Sequence, residues 1–579
     1  MRVRIRGVER AGPPFAFTVG DRRIEAWPGE TVAAALVAAG HWTCRETRAG
    51  EPRGPFCGMG VCGECTMTID GQPKRACLEP ARPGMVVAVQ PARAVLPAAA
   101  APELHESATL EAGVLVIGAG PAGLAAAYAA AAAGADVLVV DDRAKFGGQY
   151  YKQPGEGFRL ETDALDAQYR AGRERHDAAR RAGARFLHRA TVWGAFGPEE
   201  IAVSTADRRL RIRARRVVVA PGAYERALAV PGWTLPGVIT TGAAQTLLRA
   251  NSVAPGRRVL LAGNGPLNLQ VARELARAGV TVVAVAELAP APGPRALADL
   301  FALTTAAPEL VREGLGHVAA LTAKRVPRLH STVLVRCEPD ASGTRVGRAV
   351  LARVDAAGRP RPGTERGYDV DAVCMGYGFA PQSELARALG CEYRHDVARG
   401  TLAAVRDFEG RTNVPAVFVI GDAGGLDGAK LAEAEGLLAG VAAARDLGRA
   451  CPAPLAGELE RARRRRVRHR RFQDALWRIY RAPPLSYELA TAGTPVCRCE
   501  GVDRGTLEGC FASGVRSLGA AKRATRAGMG RCQGRYCGVA LAAMAGAHGQ
   551  PIADDGGWFA PRTPFRPVRI DQLAAKPDA

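Results

Sequence analysis

The run Val114-Leu-Val-Ile-Gly118-Ala-Gly120-Pro-Ala-Gly123 constrains this chain more than any other. It opens the most apolar window, residues 114–140, whose single charge is Asp136. A membrane-spanning helix needs about 20 consecutive, mostly apolar residues. Here Pro121 and the glycines at 118, 120, 123 and 134 divide the window into strand, glycine turn, alanine-rich helix and second strand. The turn reads Gly-x-Gly-x-x-Gly, and Asp141 follows the second strand, Val137–Val140. A helix N-terminus placed this way offers free N–H groups to a pyrophosphate. An acid at the end of the second strand accepts hydrogen bonds from ribose hydroxyls. The pattern predicts a dinucleotide site and, with strands and helices alternating to about residue 447, a parallel α/β sheet.

Three later stretches narrow the dinucleotide. Lys145-Phe-Gly147-Gly148-Gln149 is a glycine turn able to pass close to a cofactor, and Val217 to Gly222 is a strand ending in a tight Ala-Pro-Gly turn. Phe418-Val-Ile-Gly421-Asp422 is a strand whose terminal acid suits a ribityl chain, which points to FAD. A second fingerprint runs from Val259 through Gly263, Gly265 and Asn268. Its third glycine is Asn268, and the position matching Asp141 counts to Ala286, with Glu287 one residue on and expected to point away. A retained fold without ligand and a working second nucleotide site, for NAD or ATP, both stay open.

Fourteen cysteines are too few for a disulfide scaffold of 579 residues, but two groups of them are clustered. Cys57, Cys62, Cys65 and Cys77 have the C-x4-C-x2-C spacing, with a distant fourth, of a plant-type [2Fe–2S] centre. Gly58, Gly60 and Gly63 let the loop curl and aim N–H groups at sulfur. Zinc favours matched cysteine pairs instead. Cys497, Cys499, Cys532 and Cys537 form a second set around a helical segment, with zinc as the alternative. Cys44 and Cys510 read as packed residues.

The central motifs resemble the FAD-dependent pyridine nucleotide–disulfide oxidoreductase superfamily in its small, thioredoxin-reductase-like form. That resemblance implies FAD contacts at Gly118, Gly120, Gly123, Asp141, Gly148, Gln149, Gly421 and Asp422. The redox-active C-x-x-C of such enzymes is missing between the fingerprints, so disulfide reduction is not expected. The last cysteine set resembles the bacterioferritin-associated-ferredoxin-like [2Fe–2S] domain, with a wider final gap. In whole-chain order the protein resembles the electron-transfer subunits of multi-subunit amine and amino-acid dehydrogenases: hydrogen cyanide synthase, opine oxidase, hydroxyproline dehydrogenase and the sarcosine oxidase α-subunit.

The resemblance implies a multidomain α/β chain. A β-grasp ferredoxin-like domain is expected over 1–95 and a linker over 96–112. A two-dinucleotide-domain FAD module follows, with its FAD parts at 113–245 and 351–447 and an inserted NAD-like domain at 246–350. A basic linker, helical and then Pro-containing, covers 448–495, a small helical [2Fe–2S] domain 496–550, and a surface tail 551–579. FAD, two [2Fe–2S] clusters and a substrate-oxidising, glycine-oxidase-like flavoprotein partner in a hetero-oligomer are implied, with the acceptor left open. A self-sufficient NAD(P)H-dependent reductase is the competing function.

Net charge is +21, but only seven of 78 basic residues are lysine, a compositional arginine bias. The dense run at 461–471 comes without a nucleic-acid-binding fold or stacking aromatics, so nucleic acid is not an expected partner. With Phe472 it is a candidate partner contact. His41 and His105 are isolated, and no hydrolytic constellation stands out. The N-terminus lacks a signal-peptide core, so a cytoplasmic location is expected, with any membrane or respiratory-chain contact made through the complex.

Overall fold

A computed structural model describes residues 3–5, 8–92, 106–159 and 166–573. Residues 96–105 of the expected linker, His105 and residues 574–579 of the expected tail lie outside the described residues.

The first 90 residues build a five-stranded sheet in the order Arg22–Ala26, Phe15–Val19, Val86–Ala88, Thr66–Ile69, Gln72–Arg75. The middle pair, Phe15–Val19 and Val86–Ala88, runs parallel. The helix Val32–Ala38 covers the sheet, capped by Thr31, whose hydroxyl accepts the Ala34 amide. Asp70 and Gly71 both have positive φ, which closes the 66–75 hairpin tightly. Outside this sheet, Arg4 forms an antiparallel bridge with Val253.

The FAD-type domain is a mainly parallel sheet centred on Glu106–Ile117 and Arg208–Val219, which pair along their length. Residues 106–112 of the expected linker therefore belong to a central strand. Val137–Val140 and Arg185–Leu187 extend one side, and Val417–Val419 joins the other. The helix Pro121–Ala132 is nearly all alanine and buried. Its small side chains admit the helix Ala429–Arg445 at very short range. A Cβ at Gly436 would lie 2.2 Å from the Ala122 carbonyl oxygen, and one at Gly440 would lie 2.4 Å from that of Ala126.

The inserted domain is wider than 246–350. Its parallel sheet starts with Val238–Thr240 and is completed by Ala372–Gly376, which pairs with both Val238–Thr240 and Arg258–Gly263. Returning chain supplies an inner strand of the sheet, a long-range pairing that local sequence does not announce.

The basic stretch 448–495 is helical for over half its length and packed into the molecule. Ala453–Ile479 is a 27-residue helix packed against Ala429–Arg445 and Leu297–Ala306. Phe472 is buried against Leu303, Ala306 and Ala307, so it is no partner contact. Arg470 grips Asp427 at 2.5 and 2.7 Å, and Arg466 reaches Glu435.

The C-terminal segment is helical over Arg504–Ala512, Leu518–Thr525 and Gly538–Ala547. Cys44 is fully buried, while Cys510 is only partly covered. The expected surface tail is a packed part of the molecule. Ile552, Phe559 and Phe565 are buried, because apolar residues spaced through a Pro- and Gly-rich stretch still seek a core.

Candidate functional site

A cavity of about 200 Å³ lies at the C-terminal ends of the FAD-domain strands. Gly118, Gly120, Asp141, Gly148, Gln149, Gly421 and Asp422 all line it. Gly123 does not; it fits the helix onto its strand, since a Cβ there would sit 1.8 Å from the Gly118 carbonyl oxygen. Gly118 has φ +104, and a Cβ would meet the Ala220 carbonyl oxygen at 2.4 Å. Gly120 is different: its nearest neighbour is Gly148 Cα at 3.9 Å, so the space beside it is open cavity.

The two carboxylates are held by backbone donors. Asp141 Oδ2 accepts from the Ala119 amide at 2.7 Å and Oδ1 from Arg143 at 2.9 Å. Asp422 Oδ1 accepts from Gly428 at 3.1 Å and Asp427 at 3.3 Å. Burial pushes each up to about 6, against those amides. Gln149 Nε2 and Arg566 Nη1 are buried with no hydrogen-bond partner among the described residues. Orphaned donors in a glycine-walled cavity fit an acceptor-rich, anionic ligand.

Both cysteine sets assemble. In the first loop Gly58, Gly60 and Gly63 all take positive φ. The Met59 amide donates to Cys57 Sγ, and the Glu64 amide to Cys62 Sγ, each at 3.5 Å. Thiols pair as Cys57 with Cys62 and Cys65 with Cys77, a two-plus-two arrangement that suits two irons. Burial raises Cys57, yet hydrogen bonds from Cys62 and nearby amides outweigh it and hold the thiol down to about 6. In the second set Cys499 Sγ lies 4.0 Å from Cys497 and 3.7 Å from Cys532. Cys537 meets Cys497.

The two loops also touch. Arg498, between Cys497 and Cys499, reaches Glu64 of the first loop at 3.3 Å. It donates to the Trp233 and Thr234 carbonyls and lies over the Phe56 ring at 4.3 Å. A Cβ on Gly63 would strike Arg531 Cβ at 2.8 Å. Met59 and Val61 of the first loop and Arg535 of the second form part of the cavity wall. Sequence reasoning missed Arg535, Phe565 and Arg566, because no short motif marks a side chain delivered by a distant segment.

At the second fingerprint, one expectation is overturned. Glu287 does not point away: its carboxylate accepts from the Gly265 amide at 3.1 and 3.2 Å. A register shift after Val259 adds one residue to the neighbouring strand. Gly263 therefore pairs with Glu287, and Glu287, not Ala286, is the counterpart of Asp141. Burial raises Glu287 to about 8. Asn268 bonds to Thr241 Oγ1 and the Gly376 carbonyl, a packing role. Asn264 Nδ2 donates to the Tyr480 carbonyl at 2.7 Å, tying this turn to the end of the long helix.

Comparison with known proteins agrees with this layout. Residues 112–436 match the family model "Pyridine nucleotide-disulphide oxidoreductase". Residues 12–92 match "2Fe-2S iron-sulfur cluster binding domain" and 496–577 match "Sarcosine oxidase A3 domain". An opine oxidase subunit of Rhizobium meliloti is 32% identical over 481 residues, spanning 80% of this chain and 87% of its own. Hydrogen cyanide synthase subunit HcnB of Pseudomonas aeruginosa is 32% identical over 463 residues, spanning 78% and 96%. The crystal structure of L-proline dehydrogenase from P. horikoshii superposes with a TM-score of 0.71 at 21% identity, covering 99% of this chain and all of that one, which speaks for the fold alone. The chain thus belongs to the pyridine nucleotide-disulphide oxidoreductase family, as an FAD- and [2Fe–2S]-dependent oxidoreductase subunit of the kind found in amine and amino-acid oxidases.

Proposed function

We propose that this chain carries electrons away from a substrate-oxidising flavoprotein partner, through FAD and two [2Fe–2S] clusters, to an acceptor. The observation that carries the reading is the shared wall: Met59 and Val61 of one cysteine loop and Arg535 of the other line the same cavity as Asp141 and Asp422. Cys57, Cys62, Cys65 and Cys77 would ligate one cluster, and Cys497, Cys499, Cys532 and Cys537 the other. Bound FAD supplies the conversion between paired and single electrons, the form in which an iron–sulfur centre takes them.

The residues of the chain hold that arrangement. The 121–132 helix N-terminus faces the pyrophosphate position behind Gly118 and Gly120. Asp141 suits the ribose hydroxyls, Asp422 the ribityl chain, and the free amide of Gln149 would donate to the bound cofactor. Phe56, Trp233 and Tyr536 pack between the cysteine loops and keep water out. A hydrophobic surround of this kind helps set the potentials of such centres. The second fingerprint, with Glu287 in its acid position, retains features of a nucleotide site, which keeps an NAD(P)H-linked reductase as the second reading.

The test is expression with and without a glycine-oxidase-like flavoprotein, under anaerobic purification. Amine-dependent dye reduction is expected only for the pair, with about four irons and one FAD per chain. Cys62→Ser and Cys499→Ser should each remove a different cluster signal in electron paramagnetic resonance. Rapid NADH-to-dye transfer by the chain alone would instead favour the reductase.

A further inference from the structure

Residues 558–573 cross the FAD-domain sheet and close one side of the cavity. The Phe565 amide donates to the Trp193 carbonyl at 3.0 Å. Arg535 Nη2 donates to the Phe565 carbonyl at 2.9 Å, and Arg387 Nη2 to that of Phe559 at 2.8 Å. Further on, Gln572 Nε2 donates to the Thr205 carbonyl, and the Leu573 carbonyl accepts from Arg209. The strap is therefore fastened before, at and after the cavity. Phe565 and Arg566 face the same cavity as Gly118 and Gly120.

The charges there are unbalanced. Arg566 Nη2 is bonded to Gln382 Oε1 at 2.8 Å, a neutral acceptor. Its Nη1 is buried without a partner among the described residues. Arg535 adds a second guanidinium to the wall, and Glu384 engages it at 3.0 Å. Asp142 and Glu384 favour the charged form of Arg566, yet burial and Arg535 oppose it and bring the guanidinium down to about 10. A buried cation next to another cation, with one donor unused, is costly unless an anion completes it. A guanidinium matches phosphate oxygens with two parallel donors.

We propose that Arg566 binds the pyrophosphate of FAD, so that the C-terminal strap is a clamp on the cofactor and FAD binding and docking of the second cysteine domain reinforce each other. This rests on the FAD reading given above. It assigns the 551–573 stretch a binding role where the sequence suggested a surface tail. Reciprocity is required by linkage: if the strap tightens FAD, then FAD tightens the strap by the same factor.

The test uses the full chain, anaerobically purified, and its Arg566→Gln and Arg566→Lys variants after removal of the flavin. Affinities for FAD, ADP and adenosine are measured by titration. Arg566→Gln should weaken FAD and ADP about tenfold or more and leave adenosine unchanged, because a charged hydrogen bond to the pyrophosphate is lost. Arg566→Lys should recover part of the loss. The flavin-free Arg566→Gln protein should melt no lower than wild type, since a buried, half-satisfied cation has been removed. Equal affinity of wild type and Arg566→Gln for FAD, or equal weakening of ADP and adenosine, would overturn the clamp. Failure of the wild-type protein itself to bind FAD would overturn the FAD reading instead.

Discussion

Arg498 shows how much one residue joins together. It is 4% exposed, sits between two cysteines of one set, and pairs with Glu64 between two cysteines of the other. Glu64 keeps a second partner, Arg45, at 2.8 Å. Removing one member of a buried pair strands the other's charge and costs about 3–5 kcal/mol. Arg498→Leu should fall at the lower end, about 3 kcal/mol, and lower the melting midpoint. The double variant with Glu64→Gln should recover part of it; an additive loss would mean that the pair is not coupled. The cavity acids make a pH prediction. Burial raises Asp141 and Asp422 to about 6 in the flavin-free protein. An acid raised on folding binds its proton more tightly when folded. The stability of the flavin-free protein should therefore fall as pH rises from the usual carboxylate range to about 6, then level off. In the proposed flavin site, ribose and ribityl hydroxyls would donate to the ionised form, so FAD affinity should be full above about pH 6 and fall several-fold by pH 5. Flavin titrations at pH 5, 6 and 7 check the sign. Both acids were singled out in the sequence because each ends a strand beside a glycine turn, and both line the cavity. Arg498 was passed over because a C-x-C motif names its cysteines and says nothing of the residue between.

Among the elements, what repeats locally could be read and what depends on register could not. The Thr31-capped helix, the 66–75 hairpin and the first βαβ unit each carry their own signal of capping, turn or period. Glu287 was misjudged because a single-residue irregularity beside Val259 is invisible in sequence, yet shifts the strand's pairing by one position. The 448–495 stretch was read as a basic, helical linker because of its dense arginine run at 461–471. Its packing depends on Leu455 at one end and Phe472 and Ala475 at the other, which enter two different clusters. Glycines within one motif also divide into distinct roles. Gly123→Ala places a methyl 1.8 Å from the Gly118 carbonyl oxygen and should disturb helix and strand together, lowering the melting midpoint and the flavin content. Gly120→Val points into open cavity, at an ordinary φ of −81°. It should abolish flavin binding while leaving circular dichroism and the iron content near wild type. Loss of iron and fold in Gly120→Val would show that this glycine too is structural.

For the whole molecule, the partner's landing place decides whether the relay reading holds. Phe472 is buried, and two helix arginines are held by buried acids: Arg466 by Glu435 and Arg470 by Asp427. What faces outward is a groove bounded by Arg463, Arg464, Arg468 and Arg471, with Phe408 and Val467 exposed along it. Phe301, on the adjoining helix, is 71% exposed. An apolar strip with a rim of cations suits an acidic segment carrying an apolar anchor. Rim charges chiefly speed association, and their effect is screened by salt. If this groove receives the flavoprotein proposed above, that protein should bind this chain more slowly as ionic strength rises. Arg464→Glu with Arg471→Glu should cut the association rate about tenfold or more at low salt and far less at 0.5 M. Val467→Glu should speed dissociation instead, by removing apolar contact. Neither change touches the cavity or the cysteine loops, so flavin and iron content should stay constant. Partner binding that ignores both salt and these variants would place the interface on another face.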